Sequence, residues 1–318
     1  RKKSEKLVHQ GVLMCNDRLM KVVKSHPRKV ILAMGNGALW GLTGDHTLKI
    51  TQVRGTLLEV PGLPPIVPAV HPASIAKGFG SYKHFMSDVH RAVDIFNGID
   101  PSAGPPKTEI DVITTEAYFE EVLNDLHLRA EESEFPLPIA GDIETTGFNP
   151  RTDRILCAGF SVDPGYSYVI PETLLRSHLT EALFEADELS WTWHNGKFDI
   201  PFLHEANINA RVDQDTLLLS YCLDENPGGH DEERLAIDLL GAKPYKHIVT
   251  DHLPNKDASF EMAPREAVYM RMAFDTDYGL QTYHILRARV AEDKNLERLY
   301  TRTLLPAVPL LSFVEVRG

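Results

Sequence analysis

The sequence has little cysteine, no long apolar run, and no repeated or low-complexity segment. Its 318 residues include three cysteines, which are widely separated at positions 15, 157 and 222. An odd, dispersed set of this kind argues against a disulfide framework and for a reducing compartment. No apolar run approaches the roughly 20 residues that a membrane helix needs, and no segment resembles a signal peptide. We therefore expect a cytoplasmic protein without a membrane partner.

The composition is ordinary for a globular protein, but the charge is unevenly distributed. Hydrophobic residues make up 43% and charged residues 25%, and the length suffices for two domains. Residues 1–106 contain 14 Lys and Arg against 7 Asp and Glu, whereas residues 107–318 contain 19 against 38. A basic half suits contact with phosphates, although a solvated basic face fits the pattern equally well. Because the first residue is Arg1, we expect a fragment or a processed chain.

A linker pattern separates the two halves. Residues 96–110 include two glycines and three prolines, which is typical of a connection between domains, and we place the boundary after residue 106. Before it, the pattern predicts a helix over 7–25 and a buried strand over 28–34. Further strands are expected near 49–53 and 66–69.

Two carboxylates, Asp142 and Glu144, follow the apolar run 136–140, which predicts a short buried strand. Because side chains alternate along a strand, both carboxylates point to the same face. Like charges held together repel, and a divalent cation such as Mg²⁺ or Mn²⁺ would remove that cost. Two surface carboxylates on an edge strand are the alternative that this spacing alone leaves open.

Two further acids extend the pattern. Asp199 follows a short apolar strand and opens a helix, and Asp275 lies in a long helix predicted over 264–290. Four carboxylates from three elements can hold two cations about 3.5–4 Å apart, an arrangement suited to phosphodiester hydrolysis at a chain end. Asp277 is expected to face away from Asp275, and Asp215 to cap the helix that follows it.

The motifs DIETTG and HNGKFD, followed by a helix containing D-x-D, resemble the DEDD superfamily of 3′–5′ exonucleases in order and spacing. The segment DTLLLSYCLDENPGGHDEERLAIDLLG is most similar to the proofreading domain of family-A DNA polymerases. This resemblance covers residues 107–318 and implies an α/β fold of the ribonuclease-H-like type. It implies that two divalent cations, Mg²⁺ or Mn²⁺, are held by the catalytic residues Asp142, Glu144, Asp199 and Asp275.

The same resemblance implies contacts with DNA. Phe148 would wedge between terminal bases, Asn195 would contact the substrate, and Lys197 and Phe198 belong to the second motif. The expected substrate is a single-stranded or frayed 3′ end of DNA. We expect the exonuclease domain over residues 107–300. Residues 301–318 resemble the start of the connection to a polymerase domain, which would be the partner within a parent chain.

One position departs from the family pattern. The family orients the attacking water with a Tyr four residues before the last Asp or a His five before it, whereas this sequence has Arg271 and Met270. Tyr269 lies six residues before Asp275, about 600° around a helix, and should face elsewhere. Either the helix is irregular and Tyr269 substitutes, or Arg271 pairs with Asp275 and attenuates the nuclease, or Arg271 is an alternative orienting group.

Residues 1–95 resemble the second half of a uracil-DNA glycosylase domain, most closely the iron–sulfur family-4 type. The resemblance rests on the series Cys15, RKVILAMGNGALWGLTG, ITQVRG and VPAVHPAS. It implies that His71 lies at a uracil site and that Cys15 matches the last of four cluster ligands. Because the first half of that fold and the other three ligands are absent, we expect neither glycosylase activity nor an iron–sulfur cluster.

Three functional hypotheses follow. The first is a proofreading DNA exonuclease preceded by a glycosylase-like remnant, an architecture that suggests a phage-type polymerase acting in the host cytoplasm. The second is an RNA-trimming nuclease of the same superfamily. The third is a catalytically weak DNA-binding module, in which the basic first half holds DNA and a pocket at His71 reads uracil.

Overall fold

The computed structural model describes residues 2–77, 82–98, 105, 107–225, 229–255 and 258–317. The chain divides into two compact units, one formed by residues 1–104 and 241–244 and the other by residues 105–240 and 245–318. Residues 99–104 and 106 of the predicted linker lie outside the described residues. The boundary after residue 106 therefore stays a prediction.

The described part of the first unit combines a two-stranded parallel sheet with short and long helices. Its strands are β1 (Ile31–Met34) and β2 (Ile66–Ala69). Its helices are α1 (Lys2–Lys24), α2 (Asn36–Thr43), α3 (Ile50–Val53), α4 (Pro72–Ala76) and α5 (Tyr82–Phe96).

The prediction of a strand near 49–53 is wrong, because residues 50–53 form α3. The β-branched side chains of this stretch favour a strand locally, but such propensities are weak against tertiary contacts. Here the Asn36 side-chain oxygen accepts a hydrogen bond from the Ile50 N–H at 2.8 Å. The Ile50 side chain is buried in an apolar cluster with Leu39 and Trp40, which favours the helical turn.

The ends of β1 and β2 are held by local contacts. Gly35 links β1 to α2 with a φ of +83°, a conformation that glycine adopts without strain. His71 follows β2 and caps α4, because its Nδ1 accepts a hydrogen bond from the Ala73 N–H at 3.1 Å. Arg54, just after α3, donates two hydrogen bonds to the buried Asp88 carboxylate at 3.0 and 3.1 Å.

The second unit contains a six-stranded mixed sheet. Its strands are β3 (Glu109–Val112), β4 (Leu137–Thr145), β5 (Ile155–Ser161), β6 (Tyr166–Pro171), β7 (Leu189–Trp193) and β8 (Gln214–Asp215). Their order in the sheet is β3-β6-β5-β4-β7-β8. β5 and β6 form an antiparallel hairpin, whereas β4 pairs antiparallel with β5 and parallel with β7. β4 is therefore an interior strand, which excludes the edge-strand alternative.

Helices cover this sheet, and the longest is the one predicted to carry Asp275. The described α-helices are α6 (Glu116–Glu132), α7 (His178–Glu185), α8 (Asp199–Glu205), α9 (Thr216–Leu223), α10 (Glu232–Leu235), α11 (His247–Thr250), α12 (Arg265–Ala291), α13 (Lys294–Leu299) and α14 (Leu305–Arg317). Short 3₁₀ and π turns lie at Glu172–Leu174, Phe260–Met262, Ala236–Leu240 and Tyr300–Leu304. None of the helices in these described ranges has the length and apolarity to span a membrane.

Alternate residues of β4 face two different layers. Ile139 and Ile143 belong to an apolar core that includes residues of α6, α7 and α8. Ala140, Asp142 and Glu144 alternate with them and face α12. The Ala140 Cβ lies 3.7 Å from where a Cβ on Gly279 would be, and the oxygens of Asp142 and Glu144 lie close to those of Asp275. The alternation of a strand therefore delivers both carboxylates to one helix, as their spacing predicted.

Three buried polar residues outside the group of Asp142, Glu144 and Asp275 are held by hydrogen bonds. The buried Asp277 carboxylate accepts a hydrogen bond from the Thr108 hydroxyl at 2.6 Å, on a different side of α12 from Asp275. Asp215 caps α9, as expected. His230 is buried and hydrogen-bonded to Ser220 at 2.7 Å.

Candidate active site

Four acids converge in one cleft of the second unit. Carboxylate oxygens of Asp142 and Glu144, from β4, and of Asp275, from α12, all lie within 4.8 Å of one another. Asp199, the first residue of α8, lines the same cleft and is buried. The structure therefore brings together all four acids predicted from the sequence.

Burial and mutual repulsion make full ionisation of these acids costly. Burial raises the pKa of Asp142 well above its ordinary value, and the nearby charges of Asp199 and Asp275 raise it further. Burial likewise raises the pKa of Glu144 to about 7 and that of Asp199 well above its usual range. A bound cation would stabilise the ionised forms, because it supplies the opposite charge within contact distance.

Arg271 lies between two of these acids. Its Nε is 2.8 Å from Glu144 Oε1 and 3.3 Å from Asp275 Oδ2, and its guanidinium lies 4.7 Å from the centre of the Phe260 ring. Burial lowers the pKa of Arg271, but the charges of Glu144 and Asp275 raise it by more, so the group stays cationic. The predicted pairing with Asp275 is present, and the contact with Glu144 comes in addition.

Tyr269 does not reach the cleft. α12 is a continuous helix from Arg265 to Ala291, and the Tyr269 side chain lies in a separate cavity with Arg154 and Val268. The interpretation in which an irregular helix lets Tyr269 replace the missing tyrosine is therefore not supported.

Three polar side chains around Asp275 were not indicated by the sequence. The Tyr245 hydroxyl donates a hydrogen bond to Asp275 Oδ1 at 2.5 Å. Glu232 lines the cleft and is 9% exposed, and its carboxyl group lies close enough to Asp275 for the two charges to interact. Burial lowers the pKa of Lys246, but Asp275 and Glu232 raise it by more. The available signal in the sequence was the run of three acids at positions 231–233. Acids in the first turn of a helix are, however, common without any function.

The arrangement fits a divalent cation. Glu144 Oε1 is buried and, within the described part of the chain, receives no hydrogen bond even though Arg271 is close. The acids offer only oxygen ligands, which Mg²⁺ and Mn²⁺ prefer. Asp142, Glu144 and Asp275 could hold such an ion, with Asp199 beside them.

The second unit also matches a known family. Residues 110–291, which include all four acids, match the family model of the 3′–5′ exonuclease of family-A DNA polymerases. The chain belongs to this 3′–5′ exonuclease family. The expected family and the α/β fold class of this exonuclease domain are thus confirmed.

The exonuclease domain is similar to parts of larger polymerases. DNA polymerase I of Pseudomonas aeruginosa is 28% identical over 254 residues, which cover 74% of this chain and 27% of the relative. The DNA polymerase of Bacillus phage SP01 is 23% identical over 339 aligned residues, which cover 91% of this chain and 34% of the relative. The chain thus spans about a quarter to a third of the length of these relatives.

A solved structure is also similar. Brucella melitensis NrnC with bound Mg²⁺ is 17% identical, with a TM-score of 0.46, and the likeness covers 67% of this chain and 94% of that one.

The rim of the exonuclease cleft carries exposed aromatic surface. Phe148 is 83% exposed and lies with its ring centre 6.3 Å from that of Phe198, and both line the cleft. Asn195 also lines it and has a φ of +64°, the left-handed conformation that Asn tolerates better than most residues. Lys197 instead pairs with Glu315 at 2.6 Å. Three of the four predicted DNA contacts therefore lie at the cleft.

The residues singled out in the first unit have simpler surroundings. His71 is exposed and caps α4, and Cys15 is an exposed free thiol on α1. Their glycosylase-like roles stay predictions.

Proposed function

We propose that this exonuclease domain is a two-metal-ion enzyme that hydrolyses phosphodiesters at DNA 3′ ends, as the proofreading part of a family-A DNA polymerase. The observation that carries the proposal is the convergence of the carboxylates of Asp142, Glu144 and Asp275 beside Asp199. Similarity to two DNA polymerases supports DNA as the substrate and a polymerase domain as the partner within a longer chain.

In this proposal the acids hold the cations and the rim holds the strand. Asp142, Glu144 and Asp275 would bind one ion, and Asp199 would help to bind the second. Bound Mg²⁺ or Mn²⁺ supplies a water of lowered pKa and stabilises the charge that develops on the phosphoryl group. Phe148 and Phe198 would stack on bases of a single-stranded or frayed end, a contact that tolerates any sequence.

We further propose that Arg271 retunes hydrolysis in the exonuclease domain. Its guanidinium contacts Glu144 and Asp275, two of the acids proposed to hold a cation. Because a cation and a guanidinium need the same oxygens, Arg271 would lower the rate or change the preferred metal.

The experiment that tests the proposed function is degradation of a 5′-labelled single-stranded DNA in Mg²⁺ and in Mn²⁺, with Asp142→Ala as control. Stepwise shortening from the 3′ end that is lost in Asp142→Ala is the expected result. The same strand made of RNA tests the alternative substrate, and faster shortening of RNA would point to an RNA-trimming enzyme. If the chain binds DNA but shortens it in neither metal, the result would support the third hypothesis, a catalytically weak DNA-binding module.

For the first unit we propose a glycosylase-like remnant that holds DNA without cleaving uracil from it. Its net positive charge and the position of His71 just after β2 support this role. The similarity to a phage DNA polymerase over 91% of the chain supports a phage-type architecture. Filter binding of matched strands that contain thymine or uracil tests whether a pocket at His71 recognises uracil. Equal affinities for the two strands would contradict uracil recognition.

A further inference from the structure

Glu232 is a fifth carboxylate in the cleft of the exonuclease domain, and it is buried. It lines the cleft beside Asp275, and its Oε1 lies 3.3 Å from where a Cβ on Gly279 would be. Gly279 is four residues after Asp275 on α12, which is about one helical turn. The missing side chain at Gly279 therefore leaves room for the Glu232 carboxylate against the helix.

Neighbouring residues hold Glu232 in this position. Glu232 begins α10, which is capped by the Asp231 side chain. The next residue, Glu233, accepts hydrogen bonds from the Tyr245 and Lys246 N–H groups at 2.6 and 2.7 Å. Tyr245 in turn contacts Asp275. The short helix thus fixes Glu232 and the segment that supports Asp275 together.

The sum of the charges in the cleft indicates a role for Glu232. The four motif acids together match the four positive charges of two divalent cations. Arg271 and Lys246 add two partly buried positive charges that face these acids, which lowers the attraction for metal ions. Ionised Glu232 adds one negative charge to the centre, because it lies beside Asp275 and lines the same cleft.

We propose that Glu232 is a fifth acid of the metal centre, which offsets the charge of Arg271 and strengthens the binding of a divalent cation. The inference rests on the proposed function, because it concerns the same metal-dependent cleft. Glu232 acts on the cation directly or through Asp275, and in both cases its negative charge is what matters.

The test is the affinity of the full chain for Mn²⁺ without DNA, measured from the electron paramagnetic resonance signal of free Mn²⁺. Glu232→Gln removes the charge with little change of shape and should weaken binding at least tenfold. Arg271→Gln should tighten binding at least threefold, because it removes a competing cation. The double variant should return to within about fivefold of the unmodified chain.

A matched control is Asp277→Asn, which removes another buried carboxylate from α12 at a site hydrogen-bonded to Thr108. Its Mn²⁺ affinity should not change. Glu232→Asp keeps the charge and should stay within fivefold of the unmodified chain, so it tests the proposal even where Glu232→Gln fails to fold in a thermal melt. Unchanged affinity in folded Glu232→Gln, or equal losses in Glu232→Gln and Glu232→Asp, would overturn the proposal.

The two proposals can fail separately. Asp142→Ala should abolish Mn²⁺ binding at the centre, which shows that the signal reports this cleft. If Glu232→Gln weakens Mn²⁺ binding while no DNA or RNA is shortened, the exonuclease proposal fails and the role of Glu232 stands. If DNA is shortened while Glu232→Gln binds Mn²⁺ normally, the exonuclease proposal stands and the proposed role of Glu232 fails.

Discussion

Arg271 places a permanent positive charge between two acids of the exonuclease centre. Its Nε lies 2.8 Å from Glu144 and 3.3 Å from Asp275, and both partners are buried. Removing one partner of a buried ion pair is costly, so the guanidinium does not leave these oxygens easily. A cation that enters the centre must therefore displace Arg271 from them or share them with it.

Replacing Arg271 with Tyr should raise the exonuclease rate in Mg²⁺ by tenfold or more. The change removes the competing cation and supplies the group with which the family orients water. Single-turnover degradation of a 5′-labelled strand measures this rate. The matched control is Arg287→Met on the same helix, whose arginine pairs with Glu297 at 2.6 Å, and its rate should not change. An unchanged rate in Arg271→Tyr would contradict a retuning role for Arg271.

Glu144 should make the metal-free protein less stable as the pH rises. Burial raises its pKa from 4.5 to about 7, so the folded state keeps the proton that the unfolded state loses near pH 4.5. Stability from this group is therefore lost between about pH 4.5 and 7, because in this window the unfolded state binds fewer protons.

In thermal melts with a chelator, we expect a lower melting temperature at pH 7.5 than at pH 5.5. Added Mg²⁺ should raise the melting temperature by more at pH 7.5 than at pH 5.5. Glu144→Gln cannot ionise and should show a smaller difference between the two pH values. An equal difference in the two proteins would mean that Glu144 is not the group responsible.

At the scale of the elements, β4 depends on Gly141, the residue just before Asp142. A Cβ on Gly141 would lie 2.7 Å from Cζ3 of Trp191 and 3.1 Å from Cη2 of Trp193. Both rings are buried and stacked, with centres 5.6 Å apart. Gly141 therefore lets β4 lie close to β7, and this placement sets the position of Asp142.

Gly141→Ala should destabilise the exonuclease domain by about 1–3 kcal/mol, as other overpacked cores do. Urea unfolding measures the loss. A Trp40→Phe background restricts the fluorescence signal to Trp191 and Trp193. The matched control is Gly37→Ala, where an added Cβ meets nothing within 4 Å, and its effect should be small. Equal stability of the Gly141 and Gly37 variants would show that β4 can shift without cost.

Local patterns predicted much of this centre but not all of it. Asp142 and Glu144 were predictable because a strand alternates every two residues. Glu232 was not predictable, because its proximity to Asp275 depends on the path of the chain between α10 and α12. The segment 49–53 shows the same limit. One hydrogen bond from the Ile50 N–H to the Asn36 side-chain oxygen favours a helix there, although the composition of the segment favours a strand.

At the scale of the whole molecule, the two units carry opposite charge. Residues 1–106 have 14 basic and 7 acidic residues, whereas the remainder is strongly acidic. DNA repels an acidic surface, so a strand that reaches the exonuclease cleft needs positive charge elsewhere or bound cations. In the proposed function the basic first unit would supply such a charge, and the exposed Lys21 and Lys24 lie together in the last turn of α1.

Reversing Lys21 and Lys24 to Glu should weaken the binding of single-stranded DNA about tenfold at low salt. The dependence of affinity on salt should also become shallower, by about 0.7 in log–log slope for each phosphate that the protein no longer neutralises. Fluorescence anisotropy with a labelled strand in a chelator measures both, because no hydrolysis occurs without metal. The control reverses Lys294 and Arg298, two exposed cations of α13 in the acidic unit, and changes the net charge equally. Equal weakening in the two double variants would mean that only net charge matters, whereas weakening confined to the α1 variant would place the strand on the first unit.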